Sequence, residues 1–345
     1  DVRVQTKGGS GDERNARLER QRTMDFSLGG ENLFGPIGLD WKIGYAKASE
    51  DRPNERYIDY RLKKQHFDFD LTDTRMPFAT PEEGSTMLLD KDFSLKDLTQ
   101  QQESISERDL RIALDFKTQL SERSRLKFGF KFVNKTKDKE IDFYEYSPVD
   151  KKAFNADAMA NTVNQTTDRF MPSPKYQAGT FISKEFLGSL DLDNSSMFEK
   201  SQVPEELAGN YNARENVTSG YVRIDSRIAD NLKFMGGLRV ENTSLRYTGR
   251  VYDDEANTVS MTDPETSSYI NFLPSLILKW DVAKNFLLRA GYNQSISRPK
   301  YSAIVPCMNI KRGDNKLVIG NPGLKATTSH NMDLNAEYYW KSIGL

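Results

Sequence analysis

Apolar and polar residues alternate with a period of two along much of the chain. Leu110, Ile112, Leu114 and Phe116 fall on one side of an extended segment, with Asp109, Arg111, Ala113, Asp115 and Lys117 on the other. The next run separates Leu126, Phe128, Phe130 and Phe132 from Arg125, Lys127, Gly129 and Lys131. A helix would scatter these residues around its axis, whereas a strand sorts them onto two faces. Only Ser121, Glu122 and Arg123 lie between the two runs, so the pair reads as a hairpin. The alternation recurs at Leu39, Trp41, Ile43 and Tyr45, at Val222, Ile224 and Ile228, and at Phe234, Leu238 and Val240. It continues at Leu276, Leu278 and Trp280, at Leu288, Ala290 and Tyr292, and from Met332 to Trp340. About nine strands are predicted, each close to the about 9–11 residues with which a tilted strand crosses a membrane.

The connections choose among all-β architectures. Gly35-Pro36-Ile37, Ser121-Glu122-Arg123, Ala229-Asp230-Asn231 and the link from Val282 to Asn285 are short. Ser49 to Ser104, Lys135 to Glu215, Arg250 to Ser268 and Ser297 to Thr327 are long. Short and long alternate strictly, which in an up-and-down antiparallel sheet puts all tight turns at one end and all long loops at the other. Short periplasmic turns and long extracellular loops are the pattern of an outer-membrane barrel. A soluble β-sandwich has no reason to segregate its connections this way. Trp41, Trp280 and Trp340 all fall on the apolar face near a short turn, with Lys341-Ser342-Ile343-Gly344 as the turn signal after Trp340. They are placed at one level, as in the aromatic girdle of a membrane interface. Tyr57 to Leu71 and Glu140 to Tyr146 also alternate, so strands are expected to extend beyond the membrane. The segment from Lys151 to Asn216 reads as a polar loop with turn signals at Asn194-Ser195-Ser196 and Pro172-Ser173-Pro174.

Composition narrows the class further. Lys plus Arg number 49 and Asp plus Glu 50, a formal net charge of −1. A nucleic-acid binder would carry a basic excess. No run approaches the ~18 apolar residues of a membrane helix, a test that a transmembrane β-strand escapes because it alternates. Cys307 is the single cysteine, so neither an intrachain disulfide nor a thiolate metal cluster is expected.

Several stretches resemble the TonB-dependent outer-membrane receptor family. Phe272-Leu273-Pro274-Ser275-Leu276 is followed by Leu288-Arg289-Ala290-Gly291-Tyr292 and Ser297-Arg298-Pro299. Then come Gly320-Asn321-Pro322-Gly323-Leu324-Lys325, Ser329-His330-Asn331-Met332-Asp333-Leu334 and Glu337-Tyr338-Tyr339, and upstream Gly237-Leu238-Arg239-Val240-Glu241-Asn242-Thr243. The resemblance is good from about Gly220 to Leu345 and looser before that. It is the ordered set that carries it, not any one piece. It implies a transmembrane antiparallel β-barrel of roughly 22 strands with a plugged lumen. It also implies contact with outer-membrane lipid, energy from the inner-membrane TonB complex, a surface lipoprotein partner and a bulky nutrient as cargo. Residues 1–22 are expected to be a charged lead-in or periplasmic connection. Residues 23–345 are expected to be a partial barrel, with the plug and last strands outside this chain.

Candidate chemistry is sparse. An Arg or Lys on the lipid side at mid-membrane would cost about 2–4 kcal/mol, so Asp115, Lys117, Arg223, Arg239, Glu241, Arg289, Asp333 and Glu337 are expected to face the lumen. Asp109, Arg111, Lys127, Lys131, Asp225 and Arg227 share that expectation. The plainer role for all of them is cross-strand pairing that holds a plug. Tyr144, Tyr146, Tyr176, Tyr211, Tyr252, Tyr269 and Tyr301, in the long loops, are the candidate ligand contacts, since a tyrosine offers an apolar ring and a hydroxyl. They are also ordinary fillers of extended loop strands. No serine elbow, HExxH or phosphate loop is visible, and no catalytic residue, cofactor or metal is expected. Asp253-Asp254 and Asp191-Leu192-Asp193-Asn194 read as solvated turns rather than calcium sites. Active uptake of an iron chelate, glycan fragment or vitamin is the leading expectation. A passive porin or structural barrel, and a soluble β-sandwich binding module, are the alternatives.

Overall fold

The computed structural model describes residues 1–167, 169, 176–253, 255–311, 316–340 and 343–344. Twelve strands form one large sheet. They are β1 (Val2–Gly8), β2 (Arg20–Phe34), β3 (Ile37–Leu62), β4 (Ser94–Ser121), β5 (Ser124–Pro148) and β6 (Phe198–Gln202). The others are β7 (Tyr211–Ala229), β8 (Leu232–Thr248), β9 (Glu265–Ala283), β10 (Phe286–Ser297), β11 (Thr327–Trp340) and β12 (Ile343–Gly344). The order is β1-β3-β4-β5-β7-β8-β9-β10-β11-β12, with β2 on β3 and β6 on β5. From β5 to β12 every pairing is antiparallel. Four of the connections are the expected tight turns, including the one at Gly35, whose φ of 60° lies in the left-handed region that glycine adopts without a Cβ penalty.

The chain divides into two compact units. The wall unit is Gln21–Ser49, Ile105–Glu140 and Ala208–Leu345; the loop unit is Asp1–Arg20, Glu50–Ser104 and Ile141–Leu207.

In the wall unit the strand registers stack side chains into rungs. One rung, Leu126–Ile224–Gly236–Leu276–Tyr292–Met332, presents apolar groups on the outer face. The next, Arg125–Asp225–Met235–Ile277–Gly291–Asp333, points the other way and carries the charges. Val222, Leu276, Met332 and Leu334 are exposed, as side chains in contact with acyl chains must be. Trp41, Trp280 and Trp340 lie on this outer face, each within about four residues of the tight-turn end of its strand; Trp41 Nε1 donates to Asn32 Oδ1 at 3.1 Å. The turn signal Lys341-Ser342 lies outside the described residues. Towards the long-loop end the polarity reverses. There Asn212, Arg214 and Arg246 point outward and are exposed, while Ala213, Leu245 and Tyr247 point inward and are buried.

The loop unit is built like a water-soluble domain. Ile58, Tyr60, Leu98, Phe154, Leu187 and Phe198 belong to one buried apolar cluster. Two helices lie in the segment expected to be a polar loop: α1 (Lys151–Ala160), capped by Asp150 accepting from the amides of Lys152 and Ala153, and α2 (Lys184–Ser189), capped by Ser183 accepting from Phe186 N. Short helices with a weak apolar stripe leave little periodicity to read. The Pro172-Ser173-Pro174 turn signal lies outside the described residues. Arg56 is buried, donates to Gln100 Oε1, and bonds the carbonyls of Leu187, Gly188 and Leu190 at the end of α2. Burial pushes its guanidinium below its usual range.

The first 22 residues differ from the expected lead-in. Val2–Gly8 is a strand paired with Arg56–Leu62, and Arg3 bonds the buried Asp59. Because β2 ends at the tight turn of Gly35, the chain enters β2 from the opposite end, where the long loops are. As the alternation at Tyr57 to Leu71 and Glu140 to Tyr146 predicts, strands run on into the long connections. β3 continues to Leu62 and β5 to Pro148, because the inner face there gains apolar neighbours and the strand remains worth forming.

Candidate functional site

The inner face of the wall unit holds a continuous array of charges. Period-two alternation puts Asp109, Arg111, Asp115 and Lys117 of β4 on the same side as Lys127 and Lys131 of β5 and Arg223 and Asp225 of β7. Arg239 and Glu241 of β8, Arg289 of β10, and Asp333 and Glu337 of β11 join them. Most are paired. Lys117 Nζ meets Asp40 at 3.1 Å, Lys127 meets Asp225 at 3.2 Å, and Arg289 meets Glu337 at 3.3 Å. Arg223 Nε donates to Asp225 Oδ1 at 2.6 Å. The Tyr221 hydroxyl donates to Asp115 Oδ1 at 2.7 Å. Gly129 makes room for that bond, since a Cβ there would lie 2.6 Å from the Tyr221 ring.

The densest part centres on Arg298, from the Ser297-Arg298-Pro299 stretch just after β10. Its Nη2 donates to Glu241 Oε2 at 2.6 Å and to Thr243 Oγ1 at 3.2 Å, and its Nε stands 3.9 Å from Glu215 Oε2. Glu241 accepts a second charge-assisted bond from Arg239 Nε at 2.7 Å, and Arg239 Nη2 donates to Ser219 Oγ at 2.5 Å. Lys135 bridges Glu107 and Asp109 at 3.6 and 3.7 Å. Glu215 is buried, and that burial pushes its carboxyl up against the opposing pull of Arg298 and Lys135. Sequence reasoning passed over Glu215, Glu107 and Lys135 as inner-face charges. The available signal was the continuation of the β7 alternation from Val217 back to Ala213, which fixes Glu215 on the inner side. Arg298 follows the last residue of its strand, so no periodicity points it inward.

The candidate tyrosines fall into two groups. Tyr144, Tyr146 and Tyr176 belong to the loop unit. The Lys200 ammonium lies 4.4 Å from the Tyr144 ring centroid, and the Tyr176 hydroxyl donates to the Pro77 carbonyl at 2.8 Å. Tyr211, Tyr252, Tyr269 and Tyr301 belong to the wall unit. Tyr211, Tyr269 and Tyr301 pack around Ala213, Leu245, Tyr247, Ile304 and Val305, with Tyr301 and Ile304 on the short helix α3 (Tyr301–Ile304). Burial pushes the Tyr211 hydroxyl up to about 12. Tyr146 is 2% exposed and sits in the apolar cluster of the loop unit, and Tyr252 is 4% exposed with its hydroxyl donating to Asn257 Oδ1 at 2.8 Å. Cys307 packs on the same cluster and donates to Asn210 O. His330 is on the outer face of β11 with its Nδ1 2.9 Å from the Tyr292 hydroxyl. Both acidic turns have partners of their own. Asp193 bonds Lys200 Nζ at 2.8 Å, and Asp253 Oδ1 accepts from the amides of Glu255 and Ala256. Asp254 lies outside the described residues.

An apolar outer belt, a charged inner face and tight turns confined to one end define a wall of a membrane β-barrel. Residues 187–345, which include β7 to β12, match the outer membrane protein beta-barrel family. The wall unit thus has the fold of a transmembrane β-barrel wall. Among curated protein sequences none matches the chain. Solved structures similar to it include the copper transporter OprC, at 12% identity over 98% of this chain and 46% of that one, with a TM-score of 0.43. The ferric enterobactin receptor PfeA is 13% identical over 99% of this chain and 52% of its own, with a TM-score of 0.39. The ferric yersiniabactin uptake receptor FyuA from Yersinia pestis is 10% identical over 99% and 52%, with a TM-score of 0.37. The chain spans roughly half the length of these structures.

Proposed function

We propose that the chain is part of the barrel wall of a TonB-dependent transporter that takes up a bulky, scarce nutrient across the outer membrane. The observation that carries this reading is the inner face centred on Arg298. It is too heavily charged to face acyl chains and too well paired to be a bare aqueous wall. Asp109 Oδ1 and Asn271 Oδ1 are buried there without a hydrogen-bond partner among the described residues, the condition of a surface shaped to meet another polar surface. A plug domain supplies that surface. On this reading Asp115, Lys117, Arg223, Arg239, Glu241, Arg289, Asp333 and Glu337 face the lumen, hold the plug, and in part line the path opened when it moves. The ordered motifs that resemble the receptor family support it, because they fall on consecutive strands β8 to β11. Cargo enters from the long-loop end past Tyr144, Tyr176, Tyr211, Tyr269 and Tyr301. An iron chelate, a glycan fragment and a vitamin are the candidate cargoes, and the partners are the TonB complex and a surface lipoprotein.

The test is uptake by cells expressing the full-length protein, using a panel of ferric siderophores, oligosaccharides and cobalamin. Uptake of one class is expected to collapse when a protonophore dissipates the proton gradient. Undiminished uptake, together with steady conductance in planar bilayers, overturns active transport in favour of a passive porin.

A further inference from the structure

Four cations stand side by side on the inner face of the wall unit, near its tight-turn end. Arg227 of β7 lies opposite Lys233 of β8, Lys233 opposite Lys279 of β9, and Lys279 opposite Arg289 of β10. All four fall on the inward side of the alternation that turns Leu232, Trp280 and Leu288 outward. Like charges directly opposite across a ladder destabilise it, and no acid interrupts this row. Lys279 has Asp281 at 3.6 Å and Arg289 has Glu337 at 3.3 Å. Arg227 and Lys233 are exposed and form no ion pair among the described residues. The neighbouring rung, Asp225–Met235–Ile277–Gly291, offers one acid. That acid is already bonded, by Arg223 at 2.6 Å and by Lys127 at 3.2 Å.

Beside the row the same face is dented. A hollow of about 320 Å³ opens there, with half-buried Met235, Leu273 and Ile277 as its apolar walls and Arg223 and Arg239 beside them. Gly237 leaves the floor bare, since a Cβ there would stand 2.6 Å from the Val222 carbonyl oxygen. Apolar side chains turned inward around a hollow suit a surface that another surface covers, because leaving them in water costs free energy. Free anions answer the charge of the row but leave the apolar hollow wet; a polypeptide segment answers both. Strands lie ~4.8 Å apart, so the row spans about 14 Å, and an extended segment sets the carboxylates of alternate residues ~6.6 Å apart, so that about three of them cover it.

We propose, resting on the reading that a plug fills the lumen, that an acidic segment of the plug lies across the Arg227–Lys233–Lys279–Arg289 row and seats an apolar side chain in the Gly237 hollow. Its carboxylates take charge-assisted bonds from Arg227 and Lys233, which have no acid of their own among the described residues, and turn a repulsive row into a bridged one. The seated side chain fixes where the segment lies along the wall, as an anchor in a pocket does at an interface. Because the row stands near the tight turns, the contact holds the plug at the mouth of the lumen opposite the long loops.

Zero-length carbodiimide coupling of the detergent-solubilised full-length protein, followed by peptide mass spectrometry, tests it. Lys233 is expected to couple to an Asp or Glu of the plug, and the yield to fall about fivefold or more in 1 M salt, where screening sets in within about 3 Å. Arg227→Gln/Lys233→Gln is expected to raise hydrogen exchange of the plug about tenfold or more, with exchange of the wall strands as in wild type. Ser275→Trp, whose ring fills the hollow that Ser275 lines, is expected to do the same. Coupling of Lys233 to wall carboxylates alone or to none, or plug exchange unchanged in the glutamine variant, overturns the proposal and leaves the plug in place. A full-length protein with steady conductance in planar bilayers and no domain inside the barrel overturns the transport reading itself, and the proposal with it.

Discussion

The two units use the same period-two code in opposite solvents. In the loop unit, alternation drives Ile58, Tyr60 and Leu98 into a dry interior, and the charges on the other side of the strand are covered and partnered, as Asp59 is by Arg3. In the belt of the wall unit, alternation drives Leu276 and Leu334 outward and puts Arg239, Glu241 and Asp333 inside. The physical driver is the same, since apolar surface leaves water in both cases. What differs is where the water is. The reversal inside the wall unit itself, from Leu238 outward to Leu245 inward on one strand, marks the height at which the outer medium changes from lipid to water.

The comparison can be broken at several points. The largest effect is expected from Leu98→Ala, which empties a fully buried site in the loop unit. It should cost about 2–5 kcal/mol and appear as accelerated hydrogen exchange confined to that unit. If exchange does not change, the loop unit has no conventional core. Next is Leu276→Arg, a charge in the middle of the outer belt, expected to cost about 2–4 kcal/mol in reversible folding into lipid vesicles. Tolerance of that arginine would mean that the belt faces water. Glu241→Gln leaves Arg239 and Arg298 without their shared carboxylate and should cost about 1.5–3 kcal/mol. A second readout is faster maleimide labelling of Cys307 as the segment after β10 loosens. Unchanged labelling would show that Arg298 does not anchor that segment.

The smallest effect belongs to the exposed Asp193–Lys200 pair of the loop unit. Lys200→Met should cost under about 1 kcal/mol. Lys200 holds the Asp193 carboxyl below its usual range, so this stability is present above the ordinary carboxylate range and is lost as pH falls through the lowered value. Asp193 in turn holds the Lys200 amine above its usual range, so the same stability is lost as pH rises through that raised value. The difference between variant and wild type should therefore fade at both extremes. A difference constant with pH would assign it to the packing of the Lys200 stem on Tyr144 instead.

Much of the wall was legible because a strand's two faces meet two different media. Once Leu126 to Phe132 and Arg125 to Lys131 are sorted, no tertiary information is needed to say which face meets lipid. The tight turns were legible for a related reason, being polar breaks short enough to force a hairpin. The loop unit was much less so. Its helices are short, its core is assembled from residues as distant as Val4 and Phe198, and each segment alone looks like a polar loop. The candidate site was half visible. Arg239 and Glu241 follow from alternation, but their third partner, Arg298, lies beyond the end of a strand, where periodicity stops.

The sequence alone therefore determined the sidedness of each strand and the end at which each connection lies, because both depend on local pattern and on the medium outside. Only the tertiary structure decided which charges share a carboxylate, which tyrosines are covered, and that four cations stand in one row. Those outcomes depend on register between strands, and register is set by the whole sheet rather than by any one strand's pattern.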